Sequence, residues 1–121
     1  MINIFRKKNK EPELIAADLA LKRSKVNQAA RIEQATQILY KFFIYNINQA
    51  IEQGQTSLEH SVDMIFSHNN LSFNQDEQQI ILNEIKTKFE LKNYTFTFKE
   101  PDLHFGITKA QKLCKISWEN A

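Results

Sequence analysis

The chain has 121 residues, of which 42% are hydrophobic and 25% are charged, and its formal net charge is +2. This length allows one domain with a single core, and the composition excludes a chain that is disordered throughout. No apolar run approaches the ~20 residues of a membrane-spanning helix, and so small a net charge does not by itself indicate a nucleic-acid partner.

The first part of the chain is basic. Residues 1–31 hold eight bases and three acids, whereas the remaining residues hold eight bases and eleven acids. Residues 1–25 are predicted to form a basic N-terminal arm with room for a short helix, and residues 26–121 a single α+β domain. The arm is expected to contact a polyanion, such as nucleic acid, or the acidic body of a second copy. The predicted contact residues are Arg6, Lys7, Lys8, Lys10, Lys22, Arg23 and Lys25.

One long helix is predicted between Pro12, which suits a first turn, and Gly54, which suits a left-handed C-terminal cap. A polar stretch at residues 23–25 is a place where this helix can break or bend. The segment Ile38–Ile47 is apolar on almost every side, so it needs partners on more than one face. This apolar segment predicts that the chain forms a homo-oligomer. The residues expected to form the contact between copies are Leu39, Tyr40, Phe42, Phe43, Ile44 and Ile47. A second face carries Ile44 and Ile51.

A short second helix is predicted after the long one. Thr56 and Glu59 have the spacing of a capping box, and the helix is expected to end near residues 69–70, where two asparagines tolerate left-handed geometry. A strand over Val62–Phe66 is the alternative.

A third helix is predicted from a second capping box, formed by Asn74 and Glu77. Its buried stripe is expected to contain Ile81, Leu82, Ile85 and Phe89. Acids in its first turn and lysines near its end match the helix dipole, and the helix is expected to end near Asn93.

Two strands close the chain. Residues 94–99 alternate aromatic and polar side chains, and residues 113–118 alternate again, which is typical of half-buried strands. The expected antiparallel pairing sets Tyr94, Phe96 and Phe98 against Cys114, Ile116 and Trp118. The predicted fold is therefore α+β, with three helices, one of them long, packed on a C-terminal two-stranded antiparallel hairpin.

The sequence offers no recognisable catalytic apparatus. His60 and His68 lack a third ligand at the spacing of a metal site. Cys114 lies on the apolar face of a predicted strand, which favours a buried structural cysteine over a nucleophile with His104 as its base. We therefore predict that the protein is not an enzyme and has no metal or cofactor. The single cysteine fits a reducing, cytoplasmic location.

The second half of the chain resembles small, uncharacterised phage-encoded proteins. The resemblance covers roughly residues 44–118 and is carried by Ala50, Ile51, Gly54, Tyr94, Phe96, Ile116, Ser117 and Trp118. Asn93 stands where such proteins usually carry a glycine before the strand aromatic. The resemblance implies a phage or mobile-element origin, a location in the host cell, and a role as a virion component or host-takeover factor.

The sequence is compatible with two functions. The first is a non-catalytic interaction or structural protein that self-associates through its long apolar helix and binds an unidentified protein partner. The alternative is a winged-helix-like nucleic-acid-binding regulator, because a helix–turn–helix followed by a two-stranded wing fits residues 57–118. Acids at Asp76 and Glu77 would repel phosphates in that role. An inhibitor that presents its aromatic hairpin as an edge strand is a further form of the first function.

Overall fold

The computed structural model describes residues 12–100 and 112–121, and three helices and three strands lie within them. In chain order these elements are α1 (Ala17–Glu52), β1 (Ser57–Ser61), α2 (Val62–His68), α3 (Gln75–Glu90), β2 (Thr95–Lys99) and β3 (Leu113–Ser117). The α+β class predicted from the sequence is confirmed.

Helix α1 is a single unbroken helix of 36 residues, about 54 Å long at 1.5 Å per residue. It begins at Ala17, five residues after Pro12, and it runs without a break through residues 23–25. It therefore also crosses the predicted boundary between the arm and the domain. Gly54 follows the helix with a φ of 77°, and this left-handed geometry is the one predicted for the C-terminal cap.

The sheet has three antiparallel strands in the order β1-β3-β2. The predicted pairing of the last two strands is confirmed, because Phe96 lies opposite Ile116 and Phe98 opposite Cys114. The predicted two-stranded hairpin is wrong in its strand count, since β1 pairs with the free edge of β3 and sets His60 opposite Cys114. A two-stranded sheet is marginal in water, and the third strand adds a further row of backbone hydrogen bonds.

The strand β1 replaces the start of the predicted second helix. The helix begins at Val62, and its cap is the Ser61 hydroxyl, which accepts a hydrogen bond from the backbone N–H of Met64 at 3.4 Å. The capping box predicted at Thr56 is therefore wrong, whereas a helix over Val62–Phe66 is confirmed and the alternative strand there is wrong. Asn70 follows α2 with a φ of 57°, as its expected left-handed geometry requires.

Helix α3 begins at the predicted capping box. The Asn74 carboxamide oxygen accepts a hydrogen bond from the Glu77 N–H at 2.8 Å, and the Glu77 carboxylate accepts one from the Asn74 N–H at 3.1 Å. The helix ends at Glu90, and Asn93 closes the following turn with a φ of 68°. Backbone groups that the first turn leaves unpaired are thus satisfied locally.

One hydrophobic core joins the C-terminal half of α1, the two shorter helices and the inner face of the sheet. Phe43 lies at its centre, with its ring 5.7 Å from Phe96 and 6.2 Å from Phe89. The buried apolar side chains of the core are Ala35, Leu39, Phe43, Ile47, Val62, Ile65, Phe66, Ile81, Leu82, Ile85, Phe89, Phe96, Cys114 and Ile116. The buried core residues of α1 lie in its second half, whereas Ile32, which is half-buried, packs against the core from the first half.

Candidate interaction surface

The residues predicted to hold two copies together divide between the core and the surface. Leu39, Phe43 and Ile47 are buried inside the chain, with exposed fractions of 0%, 0% and 3%. Their apolar contacts are made with the chain's own sheet and helices, so they offer no surface to a second copy. Ile44 is exposed.

The remaining two predicted residues are half-buried under aromatic neighbours. The Tyr40 ring packs edge-on against Phe89, with 5.4 Å between the ring centroids. The Phe42 ring lies between two imidazoles, 5.6 Å from His60 and 5.9 Å from His68. Most of the predicted contact face is therefore occupied within the chain.

The N-terminal part of α1 extends past the body of the domain. Every residue from Pro12 to Arg31 is exposed except Ala20, which is half-buried. In the described part of the chain, the outermost long-range side-chain hydrogen bonds of α1 are two. The Gln28 amide donates to the Glu77 carboxylate at 3.1 Å, and the Arg31 guanidinium donates to the Ser72 carbonyl at 3.2 Å.

Four exposed apolar residues share one face of α1. Leu19, Val26, Ile44 and Ile51 are 42%, 64%, 39% and 47% exposed. They are separated by 7, 18 and 7 residues, which are close to two, five and two whole turns of an α-helix. These four residues are called the outer stripe below. The sequence analysis identified the C-terminal half of the outer stripe, Ile44 and Ile51. It missed Leu19 and Val26, although these two residues have the same seven-residue spacing.

The predicted polyanion residues divide between α1 and the arm. Lys22, Arg23 and Lys25 are exposed on the projecting part of α1, where they form a basic cluster with Asp18 as the acid nearest to them in sequence. Arg6, Lys7, Lys8 and Lys10 lie outside the described residues. The projecting helix is thus basic as well as apolar.

The outer side of α3 is acidic. Its acids are Asp76, Glu77, Glu84 and Glu90, and its bases are Lys86 and Lys88. Both ammonium groups lie near aromatic rings of the chain, Lys86 at 5.8 Å from Phe98 and Lys88 at 5.0 Å from Tyr40. The Gln28 amide and the Asn74 backbone hydrogen bond lower the pKa of Glu77, which keeps that carboxylate ionised.

The described residues do not assemble reactive groups. Cys114 is fully buried, and burial raises the pKa of its thiol to about 12, so it holds its proton at neutral pH. His104, its proposed base, lies outside the described residues. The described ranges contain no cluster of three His, Cys, Asp or Glu side chains placed to hold a metal ion. No helix in those ranges combines the length and the apolar character needed to cross a bilayer.

Comparison of the chain with protein-family models, with curated proteins and with solved structures gave no match. The surface of α1 is therefore interpreted from its own chemistry.

Proposed function

We propose that this chain is a non-catalytic interaction or structural protein that self-associates through the outer stripe of α1. The observation that carries the proposal is the projecting part of α1, where Leu19 and Val26 lie on a helix that extends beyond the core. This shifts the contact away from Leu39, Phe43 and Ile47, which the chain uses for its own core.

The energetics favour a partner for this segment. Short isolated helices are marginal in water, and exposed leucine and valine side chains gain about 1.5–3 kcal/mol each when they are fully buried. A second helix laid along the outer stripe supplies that burial. The stripe extends over 33 residues, from Leu19 to Ile51, and its two ends are about 48 Å apart along the helix, so the contact is long and narrow.

Substitution at the centre of the projecting stripe tests this proposal. Val26→Glu places a charge in the contact, and we expect it to give monomers under conditions in which the unmodified chain is oligomeric. The matched control is Ser24→Glu, which adds the same charge at an exposed site about 200° around the helix. Light scattering after size exclusion measures the native mass of each. Equal masses for the two variants would contradict the proposal.

A second candidate function is binding to nucleic acid, and the order of elements favours it. The sequence α1-β1-α2-α3-β2-β3 with β3 in the centre of the sheet is the arrangement of a winged helix. Fold alone does not assign function, and here α3, which would enter the groove, is acidic and would repel phosphates. Any contact with nucleic acid is therefore expected to be made by the basic cluster of α1.

The second candidate is tested with a fluorescent DNA duplex at increasing salt. Binding through the basic cluster predicts an affinity that falls with salt, and a smaller salt dependence when Lys22, Arg23 and Lys25 are all changed to alanine. Binding that is unaltered in the triple variant would exclude this contact.

A further inference from the structure

The outer stripe is symmetric along α1. Leu19 and Ile51 are each 16 residues from Ala35, and Val26 and Ile44 are each 9 residues from it. All four side chains are exposed and lie on one face of one continuous helix. Turning a second copy end for end about the level of Ala35 therefore brings every apolar residue of the stripe opposite another.

We infer that two copies pair antiparallel along α1, with Leu19 opposite Ile51 of the second copy and Val26 opposite Ile44 of the second copy. The inference rests on the proposed self-association and specifies its partner and its register. In this register Glu33 lies level with Gln37 of the second copy, and a carboxylate and an amide can hydrogen-bond there. The polar centre separates two apolar ends.

Charge distinguishes the antiparallel pair from a parallel one. A parallel pair in register also matches apolar with apolar, but it sets the basic cluster of one copy beside the same cluster of the other and Glu33 beside Glu33. The last turn of α1 contains no basic residue, and it ends at Glu52. An antiparallel pair lays the basic cluster beside that end, where cations interact favourably with the helix dipole.

The register sets the basic cluster level with the C-terminal end of α1 of the second copy. Lys22 lies level with Asn48 of the second copy, which is one turn from Glu52 of the same copy. The basic cluster of α1 thus meets the negative end of the partner helix. This complementarity within one helix is the reason to assign a second copy, and not an unrelated apolar segment, to the outer stripe.

Disulfide cross-linking tests the register. Residues 26 and 44 are 18 residues apart, about 27 Å along the helix, whereas a disulfide needs Cα atoms within about 7 Å. Val26→Cys alone should therefore not cross-link in an antiparallel pair. A mixture of Val26→Cys chains and mass-tagged Ile44→Cys chains should form mixed disulfide dimers on oxidation. Cys114 is buried in the core and does not compete.

The controls separate the register from self-association itself. Ser24→Cys mixed with Ile44→Cys should not cross-link, because Ser24 lies on the other side of α1. Val26→Cys chains that cross-link to one another would overturn the antiparallel register, as would a mixture that fails to cross-link while the unmodified chain is dimeric. A monomeric unmodified chain would overturn the proposed function and the register together.

Discussion

The imidazole of His60 has an apolar environment that the sequence did not predict. It lies on the inner side of β1, with its ring centroid 5.6 Å from Phe42 and 6.2 Å from Phe43. Its Nε2 is buried and has no hydrogen-bond partner among the described residues. Burial lowers the pKa of His60 below its ordinary value of 6.5, because the charged ring would lose hydration.

This histidine makes stability depend on pH. The unfolded chain binds a proton on His60 as the pH falls through 6.5, whereas the folded chain binds it only at a lower pH. The stability that the folded chain gains from the neutral form of His60 is therefore fully present above pH 6.5. We expect the free energy of unfolding to decrease as the pH falls below that value. His60→Phe should reduce this decrease between about pH 7.5 and pH 5.5, measured by urea denaturation. The same slope in both proteins would contradict the assignment.

Helix α1 has different surroundings along its length. Its second half packs in the core through Leu39, Phe43 and Ile47, and its first half projects from the body with Leu19 and Val26 exposed. Both halves carry apolar residues and both have good helix-forming residues, so propensity does not distinguish them. The difference comes from the sheet and the shorter helices, which reach only one end of α1.

Alanine substitutions at two leucines of α1 measure this difference. Leu39→Ala removes a fully buried side chain and should lower the free energy of unfolding by about 2–5 kcal/mol. Leu19→Ala should change it by less than about 0.5 kcal/mol in a solution dilute enough to keep the chain monomeric. Both values come from denaturant titration monitored by circular dichroism. Comparable losses at the two positions would show that the first half also packs against the chain.

Local signals in the sequence predicted the elements that local chemistry determines. Two such signals are the capping box at Asn74 and Glu77 and the alternation of aromatic and polar residues from residue 94 to residue 99. Each of them depends only on residues that are close together in the sequence. The strand β1 does not, because its pairing with β3 joins residues that are at least 52 positions apart, the smallest separation being that between Ser61 and Leu113. In addition, Thr56 and Glu59 carry a helix signal there, and cross-strand pairing overrides it.

The candidate surface on α1 was predictable from the sequence only in part. The apolar run Ile38–Ile47 identified the helix that needs partners on several faces. Which of those faces the chain covers by itself depends on elements that come later in the sequence. The sequence therefore indicated the right helix, but three of the residues expected between copies lie in the core.

The molecule as a whole combines a small α+β body with a long helix that extends beyond that body. The basic cluster of residues 22–25 lies on the projecting part, and the acids of α3 lie on the body. An antiparallel pair along α1 would place one body toward each end and keep the two acidic surfaces apart. In this proposal the second half of α1 packs in the core, and the outer stripe, which runs along both halves, forms the contact between copies.

Sedimentation equilibrium of the unmodified chain, over a wide range of concentration at low salt, is the most direct test of self-association. We expect the average mass to rise with concentration from 14.2 kDa toward twice that value and then to level off, as for a closed pair. A mass of 14.2 kDa at every concentration would contradict it, because the outer stripe of α1 would then remain in water.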